Sequence, residues 1–286
     1  MTVIAFVGSV FSSYYAWAQS RHSRGGREAE ADNHCCINVA LYGRGSRRWT
    51  MTERGRRHVQ RSVREFIVGP SRLQWEGDTL RIDLHEVGVP IPQRVDGTLR
   101  IKPRALSMFH APLDDAGRHR WGPIAPCSRI EVDLQRPGLR WQGDAYLDSN
   151  EGDEPIERPF TEWDWSRASL RDGSTAVIYD VRQKNGAARV ITQRFQPDGS
   201  SVAFDAPRRH ALPRSAWRIE RHLRSEGDEP PRVLQTLEDT PFYTRSLLES
   251  GLCGQRVTSV HETLDVSRLV SLPVRLMLPW RMPRRG

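Results

Sequence analysis

Hydrophobic and polar residues alternate in short runs along most of this 286-residue chain, and Gly, Pro, Asp and Asn separate the runs. Alternation with a period of two is typical of strands that bury one face, whereas sustained helical periodicity is scarce. The pattern therefore predicts an all-β protein of antiparallel barrels or sandwiches with a few short helices. The clearest predicted strands are residues 37–42, 48–52, 80–87, 99–102, 130–134, 175–181, 188–195 and 217–223.

Only brief segments have the signals of helices. Thr52 is a suitable N-cap for a helix over residues 54–66, and Pro241 suits the first turn of a helix over residues 242–252. The block 20–32 is rich in Arg, Gly, Glu and Ala and has no apolar periodicity. We predict that this block is an exposed loop.

Polar breaks at residues 151–155 and 225–231 interrupt the strand pattern. The first break, with the Trp-rich run just after it, indicates a domain boundary between residues 160 and 170. We predict two consecutive β domains, residues 1–165 and 166–286, of which the first carries the candidate site.

One local pattern occurs twice, and its second copy places polar groups where the first copy has aliphatic ones. In the first copy Leu80 and Ile82 alternate with polar residues, so they share the inner face of a strand; Tyr146 and Asp148 take the same positions in the second. A carboxylic acid on an apolar inner face resists ionisation, so its pKa rises and it can donate a proton near neutral pH. The structural alternative is that Asp148 accepts backbone hydrogen bonds from the turn that follows it. The two copies read LQWEGDTLRI and LRWQGDAYLD.

A second pair with the same spacing is His119 and Trp121, just before a Gly-Pro bend. Taken singly, His119 between two arginines is typical of a surface residue, and Trp121 is typical of core packing. With Tyr146 and Asp148 they supply an acid, a phenol, an imidazole and an indole. This set could protonate an alkene, stabilise the resulting cation against aromatic rings, and deliver water to it.

Composition narrows the classes of function. The mean hydropathy is −0.60, and no run approaches the roughly 20 apolar residues that a membrane span needs. The net charge is +8, and nearly all the basic residues are arginines. They are spread among acidic residues, and the sequence contains no nucleic-acid-binding motif. We therefore expect no nucleic-acid partner, although attraction to anionic lipid at a membrane surface would suit this charge.

Cofactor and metal motifs do not occur in the sequence. The four cysteines form no Cys-x-x-Cys pair, the nine histidines form no His-x-x-x-His pair, and there is no glycine-rich phosphate loop. We expect no cofactor and no metal. A reducing cytoplasm is the simplest location for the cysteines, and peripheral attachment to the cytoplasmic face of the inner membrane would follow from a membrane-dissolved substrate.

Ordered blocks of sequence along nearly the whole chain resemble one known family. Together they are similar to the carotenoid 1,2-hydratases, also called hydroxyneurosporene synthases, of phototrophic bacteria. The blocks are IAFVGSVFS from Ile4, NVALYG from Asn38, MTERG from Met51, GRHRW from Gly117, YLDSN from Tyr146, DEP from Asp153, WDWSRA from Trp163, EDTPFY from Glu238 and MLPWRMP from Met277.

This resemblance implies a pair of lipocalin-like β domains and hydration, without a cofactor, of the terminal double bond of an acyclic carotenoid such as neurosporene or lycopene. The product would be a 1-hydroxy carotenoid. The functional residues of the family fall on His119, Trp121, Tyr146 and Asp148. The resemblance implies that Asp148 is the acid, that Trp121 and Tyr146 stabilise the cation, and that His119 positions water and takes its proton.

The chain also departs from the family pattern near the candidate site. We expect an aromatic segment upstream of residue 1, a Trp at the position of Glu151, and a second aromatic residue at Gly122. Reduced activity or a shifted substrate is the expectation from these departures.

Two other functions fit the same pattern. A lipocalin-like carrier would bind an apolar polyene without reacting with it, but such a carrier gains nothing from burying an acid. A related isoprenoid isomerase or cyclase would use the same cation-stabilising pocket and exclude water. Analysis of the product separates this enzyme from a hydratase.

Overall fold

Strands make up most of the chain in the computed structural model, which describes residues 1–25 and 29–285. The all-β class is confirmed, in an arrangement consistent with a lipocalin-like fold. The strands are β1 Thr2–Phe6, β2 Cys36–Leu41, β3 Arg48–Met51, β4 Glu53–Arg54, β5 Val59–Arg61, β6 Glu65–Val68, β7 Ser71–Glu76, β8 Thr79–Val87, β9 Arg94–Pro103, β10 Ala111–Pro112, β11 His119–Arg136, β12 Leu139–Gly152, β13 Phe160–Ser169, β14 Thr175–Gln183, β15 Ala188–Phe195, β16 Ser201–Ala203, β17 Arg208–Leu212, β18 Arg221–Ser225, β19 Arg232–Asp239, β20 Tyr243–Leu252, β21 Gln255–Asp265 and β22 Arg284–Arg285. The α-helices are α1 Ser13–Gly25, α2 Val266–Leu269 and α3 Leu272–Arg281, and single 3₁₀ turns span Ala31–Asn33 and Arg56–His58.

The first compact unit contains Met1–Lys102, Arg129–Gly143 and Arg275–Gly286. Strands β1 to β3 form one antiparallel sheet, and β5 to β9 follow one another as neighbours in a larger one. Along β8 the buried residues alternate with more exposed ones, which is the pattern that predicted this strand. One pair among the described strands, β22 with β4, is short and parallel.

The second compact unit contains Pro103–Ser128 and Asp144–Val274. Its main sheet has the strand order β16-β15-β14-β13-β21-β20-β19, and the pair β17-β18 is separate. Strands β13 and β21 lie in the middle of this sheet and have hydrogen-bonded neighbours along both edges. No helix in the described part of the chain is long and apolar enough to cross a membrane.

The two units are discontinuous in sequence, because β11 and β12 each contribute residues to both. The boundary predicted between residues 165 and 166 falls within β13, inside the second unit. The divisions at residues 128–129 and 143–144 fall inside these strands and not at the polar break 151–155, so composition does not mark where the units divide.

Three predictions of local structure are wrong. Residues 54–66 form β5, part of β6 and a 3₁₀ turn rather than a helix, and most of 242–252 is β20. In β20 the pairing with β21 is regular over its whole length, so tertiary pairing overrides the local helix signals. The predicted loop 20–32 begins inside α1, which ends at Gly25, while residues 26–28 lie outside the described part.

Candidate active site

The carboxyl group of Asp148 is held by two hydrogen-bond donors that the sequence also singled out. The indole Nε1 of Trp121 donates to Asp148 Oδ2 over 2.9 Å, and the hydroxyl of Tyr146 donates to the same oxygen over 3.1 Å. Trp121 lies on β11 and the other two lie on β12, its hydrogen-bonded neighbour. The structure therefore brings together three of the four predicted residues around a single oxygen atom.

Burial raises the pKa of Asp148 from its ordinary value of 3.8 to about 6. The negative charge of Glu262 raises the pKa further, while hydrogen bonds from Trp121 and Tyr146 and the positive charge of Arg167 partly offset the rise. Asp148 nevertheless keeps part of its surface accessible. An acid that is both hard to ionise and accessible can transfer a proton to a bound apolar molecule.

Tyr146 stays neutral, since burial, and then the adjacent Asp148, raise the pKa of its phenol well above the ordinary value of 10.0. The phenol is therefore a hydrogen-bond donor to the acid. Its ring lies 5.5 Å from that of Trp165, and the guanidinium carbon of Arg167 lies 5.3 Å from the ring centroid. The Tyr146 ring thus already accepts one cation, and burial lowers the pKa of that Arg167 guanidinium.

Trp121 is completely buried. Its ring meets those of Phe109 and Tyr179 edge-on at 5.8 Å each, and that of Phe195 at 6.2 Å. Packing on these sides fixes the indole with its N–H toward Asp148. In this conformation Trp121 orients the acid and presents no open ring face to a ligand.

A second carboxylate, Glu262, faces the same side of the sheet. It lies directly opposite Trp165 in the β13–β21 register, and residues paired in this way share a face. Arg245, itself buried, holds Glu262 through a contact of 2.7 Å. Its charge reaches the active site, because it raises the pKa of Asp148 and that of Tyr179.

Glu262, Arg167 and Trp165 were not predicted from the sequence, although the strand alternation that indicated Asp148 is present around them too. Glu262 stands between Val260 and Leu264 at alternate positions, so an acid occupies an inward position there too. Trp165 and Arg167 likewise alternate with polar residues along β13. What the sequence lacked was the pairing of β13 with β21, which brings these residues beside one another.

His119 is anchored away from the acid. It is buried, its Nδ1 lies 2.6 Å from Asp114 Oδ2, and its Nε2 lies 2.9 Å from the carbonyl oxygen of Glu154. Both ring nitrogens therefore face oxygen acceptors. These bonds hold the start of β11, two residues before Trp121. His119 therefore has the contacts of a supporting residue, and both of its ring nitrogens are already engaged by the protein.

We expect Asp114→Asn to lower the free energy of unfolding by about 2 kcal/mol, because it weakens the charge-assisted bond to His119 in a buried site. Although burial alone would raise it, hydrogen bonds from His119 and the Arg118 backbone hold the pKa of Asp114 below 3.8. The carboxylate therefore stabilises the fold above about pH 3.8, and this contribution is lost as the pH falls through the lower folded pKa.

Urea denaturation of wild type and variant at several pH values measures this effect. The exposed neighbour provides a control, since Asp115→Asn should change stability much less. A loss of stability that is equal for both variants, or that grows on acidification, would contradict the assignment.

Glu151 and Gly122, the two positions in the chain that depart from the family pattern, have different surroundings. The side chain of Glu151 is largely exposed and lies 3.9 Å from Arg120. A Cβ at Gly122 would come within 3.0 Å of the ring of His110, so a larger residue there would require His110 to move. In the part of the chain that the structure describes, no cluster of three His, Cys, Asp or Glu side chains is arranged to hold a metal ion.

The amino-acid sequence also matches a known protein family. The sequence model of the family described as carotenoid hydratase CrtC matches residues 3–286. The chain belongs to the carotenoid hydratase CrtC family. The resemblance inferred from the ordered sequence blocks is thereby confirmed.

Relatives of the CrtC family match over the whole chain. The acyclic carotenoid 1,2-hydratase of Rubrivivax gelatinosus is 62% identical over 286 residues, which are 100% of this chain and 70% of the relative. That of Thiocapsa roseopersicina is 49% identical over 287 residues, covering 100% and 69%. That of Cereibacter sphaeroides is 38% identical over 284 residues, covering 99% and 98%.

Proposed function

We propose that this protein adds water across the terminal double bond of an acyclic carotenoid, giving a tertiary 1-hydroxy carotenoid. Membership of the CrtC family and full-length similarity to acyclic carotenoid 1,2-hydratases support the reaction class and the substrate class. The observation that carries the mechanism is the Asp148 carboxyl group, whose pKa burial raises to about 6 while two neutral donors hold it in place.

The proton leaves from Oδ1 of Asp148. Because Trp121 and Tyr146 both donate to Oδ2, that oxygen acts as the carbonyl of the neutral acid, and Oδ1 carries the proton. Transfer to the less substituted alkene carbon forms a C–H bond from the π electrons. A tertiary carbocation remains on the neighbouring carbon, opposite an Asp148 carboxylate.

Charges and rings on the sheet face stabilise that cation. The Tyr146 ring is partly accessible, and a desolvated cation on such a ring gains about 2 kcal/mol. The positive charge of Arg167, which lies over the same ring, acts against this gain. Glu262 adds a fixed negative charge. Its negative charge acts in two ways, since it keeps Asp148 protonated before the transfer and stabilises the new positive charge afterwards.

Water then attacks the tertiary carbon, and its second proton must leave. The resemblance assigned this proton to His119, but both nitrogens of that ring bond to acceptors. We propose instead that the Asp148 carboxylate takes the proton as the C–O bond forms, which regenerates the acid. The sum of the steps is the addition of one water, with no electrons gained or lost.

The reaction is tested by incubating the purified protein with lycopene or neurosporene in detergent, without added cofactor, followed by chromatography and mass analysis. A product heavier by one water supports the proposal. Bound polyene that is recovered unchanged would support the carrier, and a rearranged product of unchanged mass would support an isomerase or cyclase.

The rate should be highest below about pH 6 and fall above it, because the reaction needs protonated Asp148. Tyr146→Phe removes a hydrogen bond that lowers the pKa of Asp148, so the falling limb should move to higher pH. Profiles of kcat against pH for wild type and Tyr146→Phe measure the shift. If the falling limb of the Tyr146→Phe profile stays in place or moves to lower pH, a group other than Asp148 controls it.

The proposed partners are the carotenoid and water. We also propose peripheral association with the cytoplasmic face of the inner membrane, since a long polyene dissolves in the bilayer and the chain has a net charge of +8.

A further inference from the structure

Helix α3, Leu272–Arg281, has apolar side chains on two opposite sides. Val274 and Leu278, one turn apart, are buried together with Met282 just after the helix. The opposite side carries Leu272, Leu276 and Trp280, again at intervals of one turn, which are 67%, 55% and 78% exposed. Met277 beside them is 49% exposed. A single helix therefore presents four large apolar side chains to the surroundings, enough to mark an interaction surface.

The segment that carries this face is basic. Residues 266–286 contain five arginines and no aspartate or glutamate, and two of these arginines pair with acids outside the segment, Arg268 with Asp265 and Arg284 with Glu53. Arg281 follows Trp280 directly and lies over the ring of Trp49, with 4.5 Å from its guanidinium carbon to the ring centroid. Leucine and tryptophan on one side of a helix with arginine at its flanks are typical of helices that lie in the plane of a membrane interface.

We infer that the face of α3 formed by Leu272, Leu276, Met277 and Trp280 docks into the surface of a bilayer containing anionic lipid. The inference rests on the proposed function, because a carotenoid dissolved in a bilayer must be reached at its surface. The apolar side chains enter the region between headgroups and acyl chains, and the arginines meet the lipid phosphates. A protein partner would require complementary acidic and apolar groups, whereas an anionic bilayer offers both on any patch of its surface.

The test measures binding of the full chain to vesicles by flotation. Vesicles of phosphatidylcholine alone are compared with vesicles of phosphatidylcholine and phosphatidylglycerol. The double variant Leu276→Gln, Trp280→Gln makes the exposed face polar while keeping the helix and its buried side. Its matched control is Val63→Gln, Ile91→Gln, which removes two apolar side chains elsewhere that are 97% and 66% exposed.

Wild type and control should bind the anionic vesicles, and the α3 variant should bind them at least about tenfold more weakly, since each buried apolar side chain contributes more than this factor when fully desolvated. Binding to phosphatidylcholine alone should be weaker, and salt at about 0.5 M should weaken binding to the anionic vesicles. Equal binding by variant and wild type would overturn the inference. So would a wild-type dimer that the variant loses while no vesicles are bound, because α3 would then be a contact between copies.

Activity assays separate this inference from the proposed reaction. The α3 variant should hydrate carotenoid in detergent at the wild-type rate and lose turnover only when the carotenoid is embedded in vesicles. Asp148→Asn should bind vesicles like wild type and form product roughly 10²- to 10⁴-fold more slowly. Vesicle binding without product in detergent would therefore leave docking in place and remove the reaction, and product without vesicle binding would do the reverse.

Discussion

Asp148→Asn is expected to reduce the rate of hydration by roughly 10²- to 10⁴-fold, the usual contribution of a positioned general acid. The asparagine oxygen can still accept the hydrogen bonds of Trp121 and Tyr146, so the geometry of the site should survive. What the variant lacks is a proton to give. Product formation from the carotenoid in detergent measures the loss.

The variant should also be at least as stable as wild type above pH 6. Because the folded pKa of Asp148 is raised, the folded state binds more protons than the unfolded state between pH 3.8 and about 6, and stability falls as the pH rises through this window. Substitution by asparagine removes this loss of stability.

Asp144→Asn, a substitution of an exposed residue on the same strand, is the control for activity and should retain it. Turnover by Asp148→Asn within tenfold of wild type would remove the acid assignment.

Trp121→Phe is expected to lower kcat by roughly 10- to 100-fold, because Asp148 becomes a carboxylate as its proton leaves and a hydrogen bond to a charged group contributes about 1.5–3 kcal/mol. The substitution keeps an aromatic ring among Phe109, Tyr179 and Phe195 but removes the indole N–H that orients Asp148. Because that bond also lowers the pKa of Asp148, the falling limb of the pH profile should move upward. Steady-state kinetics across the pH range measure both effects.

Separate effects on kcat and KM distinguish a Trp121 that positions the acid from a Trp121 that only binds the substrate. Trp141→Phe, on the outer part of β12 and 39% exposed, is the control for the loss of an indole and should change neither constant. If Trp121→Phe raised KM alone and left the pH profile in place, Trp121 would be a wall of the binding site rather than the residue that positions the acid.

Strand alternation was sufficient to predict that the side chains of Tyr146 and Asp148 lie together, because both are on one strand and their spacing alone fixes a common face. The link from Trp121 to Asp148 needed the pairing of β11 with β12, which a local pattern cannot supply. Glu262 illustrates the same limit over a longer distance. Its inward position is readable from Val260 and Leu264, but its closeness to the acid depends on a strand about a hundred residues further along the chain.

His119 shows where residue type alone misleads. An imidazole two residues from Trp121 fits a general base, and its sequence neighbours Arg118 and Arg120 gave no sign of burial. The structure buries the ring between Asp114, in the loop before β11, and the backbone of Glu154, in the loop after β12. Loop geometry of this kind follows from tertiary packing, so residue type alone suggests a role for His119 that its contacts do not favour.

The proton transfer from Asp148 to carbon is tested most directly by running the reaction in D₂O and locating deuterium in the product. One carbon-bound deuterium is expected in the wild-type product, on the carbon next to the new tertiary alcohol, and Asp148→Asn should form this product roughly 10²- to 10⁴-fold more slowly. A hydrated product without carbon-bound deuterium, or the same labelled product formed equally fast by Asp148→Asn, would contradict the proton transfer from Asp148.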